Sequence, residues 1–317
     1  MAFKLLISLA ALLAVFAGLT LWKAARHEAR AEASHPPGGQ FVEVDGHRVH
    51  ARVMGTGPDV VLIHGASGNL RDFTFSLAPK LAERYRVIAL DRPGLGYTGR
   101  LGRKAASLDA QAALLMRAAG RLGAERPIVL GHSYGGAVAL TWAANHPDRI
   151  AALVPLAAAS NPWRSDLEPY YRITAHPVLG PVAVTLISAW VPDRVVERAV
   201  AKVFAPQPAP EGYAAHFGPG LTLRRDTLRA NALQRAAIKD EIARLHTRWQ
   251  DISVPTEILH GTEDRTVGLA IHSEPLSRQI PDARLTRLEG VGHMPHHAAE
   301  AEVIAAVDRA AARAGLR

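Results

Sequence analysis

A hydroxyl, an imidazole and a carboxylate lie along this chain at positions from which they could act together. Ser133 stands in Gly131-His132-Ser133-Tyr134-Gly135-Gly136, after the apolar run Ile128-Val129-Leu130 and before the helical pattern Ala137-Val138-Ala139-Leu140. Strand, sharp turn and helix in that order lift one side chain out of the backbone, and a G-x-S-x-G spacing in this context is a nucleophile elbow. Glycines must flank the serine because the turn is tight and the next helix packs close. A serine hydroxyl attacks a carbonyl only when a base removes its proton. His293, in Gly290-Val291-Gly292-His293-Met294-Pro295, is the candidate base, since a neutral imidazole is matched to proton transfer near pH 7. Asp264 or its neighbour Glu263 could orient that ring. His296 and His297 are local rivals, expected to open the last helix and to face solvent or a lid.

The elements that must position these residues can be traced on either side. Asp45-Gly46 marks a hairpin turn inside 41–50. Apolar strands are predicted at 59–63, 85–91, 128–130, 150–156, 255–261 and 283–288. Helices are predicted at 70–82, 107–122 with Ser107 as N-cap, 134–145 and 299–314. Strands alternating with helices predict an α/β fold: a mostly parallel central sheet with helices on both faces. Between 160 and 250 that alternation stops. Prolines, aromatics and helical stretches at 195–204 and 228–246 read there as a mainly helical lid inserted before the acid-bearing strand. The expected organisation is an apolar segment at 1–22, a linker at 23–40, core at 41–159, lid at 160–250 and core again at 251–317.

Composition narrows the chemistry further. The 317 residues contain no cysteine, which excludes disulfides, thiolate catalysis and cysteine metal sites. Fifteen histidines invite a metal reading, yet no H-E-x-x-H spacing appears, and neither metal nor cofactor is expected. Gly94-Leu95-Gly96 and Gly55-Thr56-Gly57 lack the full glycine spacing of a dinucleotide or phosphate loop. The net charge of +8 could favour anionic partners. The basic residues are scattered, however, and nucleic acid is not expected as a partner.

Leu5 to Trp22 is an apolar run of about 18 residues, at the lower limit for a membrane span. Lys4 precedes it and Lys23, Arg26 and Arg30 follow it. A retained single-span anchor is expected, with a cleaved export signal as the alternative. The small-x-small triplet Ala31-Glu32-Ala33 lies too far downstream for ready cleavage. The basic flank leans toward a cytoplasmic body without fixing the orientation.

Five motifs together carry a family resemblance over residues 41–317: His64-Gly65-Ala66-Ser67, Asp91-Arg92-Pro93-Gly94-Leu95-Gly96, the serine elbow, His260-Gly261-Thr262-Glu263-Asp264, and Gly292-His293. With them the chain resembles the α/β-hydrolase superfamily, in its lidded, serine-esterase-like branch. The resemblance implies a Ser133–Asp264–His293 triad in the chain order nucleophile, acid, histidine, and selects Asp264 over Glu263. It implies an oxyanion hole from the backbone N–H groups of Ala66 and Tyr134. It also implies that His64, Asp91 and Arg92 organise the rim, and His132 is read as structural.

The expected activity is hydrolysis of a small hydrophobic ester by a carboxylesterase or lipase mechanism. Trp163, Tyr170, Tyr171, Phe204, Tyr213, Phe217 and Trp249 of the insert offer apolar surface for it, or form the lid's own core. Ile173, Val182, Val184, Leu186, Ile187 and Trp190 add an oily segment, either a lid helix or a membrane-facing surface. Two alternatives stay open: a carbon–carbon bond hydrolase of ring-cleavage products, and an inactive lidded binding protein.

Overall fold

The computed structural model describes residues 1–102 and 106–317. Eight strands form one sheet: β1 Gln40–Val44, β2 His47–Met54, β3 Asp59–Ile63, β4 Arg86–Leu90, β5 Ile128–His132, β6 Ala152–Leu156, β7 Thr256–Gly261 and β8 Ala283–Leu288. Their order is β1-β2-β4-β3-β5-β6-β7-β8. β1 and β2 form the antiparallel hairpin announced by Asp45-Gly46, and β2 runs antiparallel to β4. All later pairings are parallel. The central strands are apolar without interruption because helices cover both faces. β3 sends Val61 and Ile63 to one face and Val60 and Leu62 to the other, into two separate cores.

The helices are α1 Ala2–Ser34, α2 Arg71–Thr74, α3 Leu77–Leu81, α4 Leu108–Arg121, α5 Tyr134–Asn145, α6 Pro169–Ala175, α7 Leu179–Trp190, α8 Asp193–Val203, α9 Tyr213–Phe217, α10 Pro219–Thr222, α11 Arg225–Leu245, α12 Ser273–Gln279, α13 Pro295–Ala298 and α14 Glu300–Arg313. Helices α6 to α11 all fall between β6 and β7, which is the helical insertion expected of a lid. Ser107 caps α4 by accepting from the Ala110 amide.

Two local readings differ from the structure. The single helix predicted over 70–82 is broken into α2 and α3. Pro79 has no N–H to give, and in a continuous helix its ring would strike the carbonyl of Phe75. Residues 23–34, read as linker, continue α1 to Ser34. Alanine favours helix there, and ion pairs to the insertion fix it. The Glu28 carboxylate accepts from Arg225 Nε at 2.8 Å and Nη2 at 2.7 Å. Arg224 donates to Glu32 at 3.0 Å, and His27 meets Asp193 at 2.8 Å. Among the described residues α1 is the one single helix long and apolar enough to cross a membrane, with 6% of its apolar window buried.

The turn that carries Ser133 depends on contacts too close for any side chain. A Cβ on Gly135 would lie 2.2 Å from the Ile63 carbonyl oxygen and 2.5 Å from that of His64. These atoms belong to the backbone at and just past the end of β3 and cannot rotate away. Gly135→Ala is expected to destabilise the fold by about 3 kcal/mol or more, through overpacking against fixed backbone. Thermal unfolding of the variant beside the parent checks this. An unchanged melting temperature would show that the elbow is not held as described.

Candidate active site

The sheet brings the three candidate residues to one edge. Ser133 follows β5 with φ 54° and ψ −117°, a conformation that side-chain-bearing residues rarely adopt. The bend aims Oγ away from the strand instead of along it. His293 lies in the loop after β8, and Asp264 lies in the loop after β7. His293 Nε2 is 3.0 Å from Ser133 Oγ, and its Nδ1–H donates to Asp264 Oδ2 at 2.6 Å. This assigns one tautomer, with the bare Nε2 lone pair accepting the serine proton. All three side chains are buried.

Asp264 is held from several sides. Its Oδ1 accepts from the amides of Thr266 at 2.8 Å and Val267 at 2.9 Å. His260 Nε2 lies 3.2 Å from Oδ2. Burial alone would raise its pKa. The bonds from His260, His293 and the Val267 amide outweigh burial and hold the carboxyl well below its ordinary value. Asp264 therefore stays ionised where an imidazolium would form beside it. Glu263 is half exposed and faces Arg265 at 3.9 Å. The structure thus separates the two acids that adjacency in sequence left close.

The rim residues form a scaffold beneath the loop that carries Ala66. Arg92 is fully buried and donates to the carbonyls of His64 and Gly65, each at 2.9 Å. It also reaches Gln111 at 3.0 Å and Gln234 at 2.7 Å, and its guanidinium lies 4.2 Å from the centre of the Tyr134 ring. Burial pushes its pKa down to about 10. The Arg92 amide donates to His64 Nε2 at 3.0 Å. Asp91 accepts from His50 Nδ1 at 2.6 Å and from the amides of Leu70 and Tyr97. Tyr134 opens α5, and the first amides of a helix have no partner within it.

Of the two surroundings expected for His296 and His297, the structure gives the insertion and not solvent: the His297 ring centre lies 5.3 Å from that of Phe204 and 4.9 Å from that of Tyr213. Both are drawn inward onto Asp72, His296 Nε2 at 3.1 Å and His297 Nε2 at 2.9 Å, and Tyr213 donates to the same carboxylate at 2.7 Å. Burial opposes ionisation of Asp72, but the two imidazoles hold its pKa well below the usual range. This network had no distinctive signal in the sequence. Asp72 and His296 are separated by 224 positions, and only the return of the chain after β8 makes them neighbours. His132 is linked to it: its Nε2–H donates to the His293 carbonyl at 2.8 Å, and its ring centre lies 4.5 Å from that of His296. Asp72, His132 and His296 are the one group among the described residues that could hold a metal ion, with a donor atom from each within 4.8 Å of the others.

Three aromatics of the insertion are packed onto the loop that carries His293. Phe204, Tyr213 and Phe217 form a buried cluster with Met294, and Trp249 donates to the Ser160 carbonyl at 2.6 Å. Phe204, Tyr213 and Phe217 thus form a core of the insertion, whereas Trp249 is part of the core beside the sheet.

Several buried histidines make stability depend on pH. Burial lowers the pKa of His64 and of His272 to about 4 each, and lowers those of His132 and His296 as well. The folded state then binds fewer protons than the unfolded state between the two values. Stability is whole above the unfolded value, near 6.5, and is lost as pH falls toward the folded value. His64 and His272 together are expected to remove about 3 kcal/mol between pH 7 and pH 5. Urea unfolding at the two pH values measures it, and equal midpoints would contradict it.

Comparison with known proteins agrees with this geometry. Residues 58–299 match the family model described as the alpha/beta hydrolase fold. The chain is 29% identical over 269 residues to the 2-hydroxymuconate semialdehyde hydrolase of Pseudomonas putida, covering 81% of this chain and 88% of that one. It superposes on a thermophilic esterase from Thermogutta terrifontis with a TM-score of 0.70 at 22% identity, over 87% of this chain and 99% of the other. It superposes on a membrane phospholipase A, a bacterial virulence factor, with a TM-score of 0.65 at 23% identity, over 97% and 98%. With the family model spanning most of its length and a Ser133–His293–Asp264 triad at the sheet edge, the chain belongs to the alpha/beta hydrolase fold family and is built as a serine hydrolase.

Proposed function

We propose that this chain is a membrane-anchored carboxylesterase or lipase that cleaves a hydrophobic ester through an acyl-enzyme. The observation that carries the reading is the continuous row Ser133 Oγ, His293 Nε2, His293 Nδ1 and Asp264 Oδ2, set on a strained elbow. Ser133 attacks the ester carbonyl while His293 takes its proton. The amides of Ala66 and Tyr134 are assigned to the developing oxyanion, where one such donor contributes about 3 kcal/mol. His293 then protonates the leaving alcohol. The same histidine activates the water that frees the acid and regenerates Ser133.

Residues 160–250 are assigned as the lid over a core made of 41–159 and 251–317. Residues 5–22 are assigned as the anchor. The uncovered apolar surface of α1 supports this, as does the membrane phospholipase that aligns along nearly all of the chain. Export after cleavage of the same segment is the competing reading.

A second chemistry has specific support. The ring-cleavage hydrolase of Pseudomonas putida aligns over most of both chains, and a Ser-His-Asp row serves carbon–carbon cleavage as well. The deciding experiment is turnover of p-nitrophenyl esters of graded chain length by the full chain in detergent, beside a dienone ring-cleavage product. Ser133 is titrated with an organophosphonate in the same samples. Ester turnover that tracks labelled Ser133 supports the proposal. Full labelling with turnover of the dienone alone would move the assignment to the second chemistry. A folded chain that neither labels nor turns over either substrate would be a binding protein.

A further inference from the structure

We infer that the lid touches the lipid bilayer directly, through the end of α7 that carries Leu186 and Trp190. The inference rests on the reading of residues 5–22 as a membrane anchor and goes beyond it, because it places part of the hydrolase body at the lipid border.

The geometry comes from where α7 meets α1. The Trp190 ring stacks on Phe16 at 5.9 Å with an interplanar angle of 7°. Its Nε1–H donates to Thr20 Oγ1 at 3.2 Å, and the Lys23 ammonium lies 3.7 Å from the ring centre. At the other end of α7, Pro181 and Thr185 share a cleft with Glu28 and Glu32. The two helices therefore run antiparallel, and each position on α7 has a level along α1. Trp190 lies at the level of residues 16–23, within and at the edge of the apolar run. Phe16 sits six residues before Trp22, about 9 Å inside the run at 1.5 Å per residue. A span holding Phe16 in hydrocarbon must bring the Trp190 corner of the lid to the same border.

The chemistry of α7 fits that place. Its sequence, Leu-Gly-Pro-Val-Ala-Val-Thr-Leu-Ile-Ser-Ala-Trp, carries no charge. Its buried residues are the small or modest Gly180, Val184 and Ser188. Its outward row, continued from the preceding Val178, is Val182, Leu186 and Trp190, exposed by 61%, 38% and 43%. A helix apolar on both faces is suited to lipid or to full burial, and this row is not buried. Tryptophan prefers the headgroup border, and a lysine stem lying along it keeps its ammonium at the polar level. Lys23, Arg26 and Arg30 extend from that level and complement anionic headgroups. The row then rises away from the membrane, so contact should fade from Trp190 toward Val178.

The absence of cysteine makes the test direct. Full-length single-cysteine variants Leu12→Cys, Leu186→Cys, Val178→Cys and Arg121→Cys are labelled with an environment-sensitive nitrobenzoxadiazole dye. They are reconstituted into phosphatidylcholine vesicles containing phosphatidylglycerol. Nitroxide lipids quench either near the headgroup or near the chain end, and phosphonate labelling of Ser133 in each sample reports folded protein. The Leu186 dye is expected to be quenched roughly twofold or more by the headgroup-proximal nitroxide, as for a residue at the acyl boundary. The Leu12 dye is expected to respond to the chain-end nitroxide, and the Val178 and Arg121 dyes to neither. A quenched Leu12 dye with an unquenched Leu186 dye would overturn the inference and leave the anchor standing. No quenching at either position would overturn both. Blue-shifted but unquenched emission at Leu186 would mean that a second copy of the chain covers this row, which also overturns it.

Discussion

Replacing Ser133 by alanine is expected to lower kcat by about ten-thousand- to million-fold, the cost of removing the nucleophile from a triad that acts as a unit. Binding and the oxyanion donors would account for the residual rate. The fold should survive, because alanine keeps the Cβ and removes only an oxygen that contacts His293 Nε2 at 3.0 Å. The backbone strain also survives, since φ stays near 54°. Ser133→Gly should therefore be more stable than Ser133→Ala by about 1 kcal/mol, because glycine occupies positive φ at little steric cost. Steady-state hydrolysis and denaturant unfolding of the two variants measure both effects. An alanine variant retaining even a tenth of the parent rate would remove Ser133 from the chemistry.

Asp264→Asn is expected to cost about ten-thousand-fold in kcat with little change in KM. The reason lies in the direction of one hydrogen bond. Asp264 accepts from His293 Nδ1–H at 2.6 Å, which leaves Nε2 bare toward Ser133. An asparagine amide can donate to Nδ1 instead. That move would place the ring proton on Nε2, where it blocks removal of the serine proton. It also removes the anion that stabilises an imidazolium. Glu263→Gln is the control, and its rate should stay within about threefold, as for a solvated surface side chain. Equal losses in both variants would contradict the separation of the two acids seen here. Loss in Glu263→Gln alone would transfer the orienting role to that residue.

The sequence by itself determined a good deal here. The elbow around Ser133 is local: apolar strand, glycines at fixed offsets and a helical run are contiguous, so their geometry follows from short-range sterics. Alternating strand and helix patterns likewise determined the sheet, because burial on two faces demands uninterrupted apolar strands. Ser107 capped its helix and Asp45-Gly46 turned its hairpin for equally local reasons. Tertiary structure decided what depends on distant partners. Glu263 and Asp264 are adjacent and chemically alike, and only the path of the loop after β7 aims one at His293 and the other at solvent. His296 and His297 could be read as facing solvent or a lid, because nothing beside them in sequence names their partner. Asp72 holds them from the far end of the chain, where an unpaired buried carboxylate would be costly. The helix at 23–34 persists because Arg224 and Arg225, about two hundred positions away, neutralise Glu32 and Glu28. The oily segment of the insertion could be read as lid or as membrane surface, since periodicity does not reveal which face finds a partner. Only the packing shows the faces: Gly180 and Val184 are buried against Thr174, Arg229, Leu223 and Leu228, Trp190 stacks on Phe16, and Val182 and Leu186 stay outside.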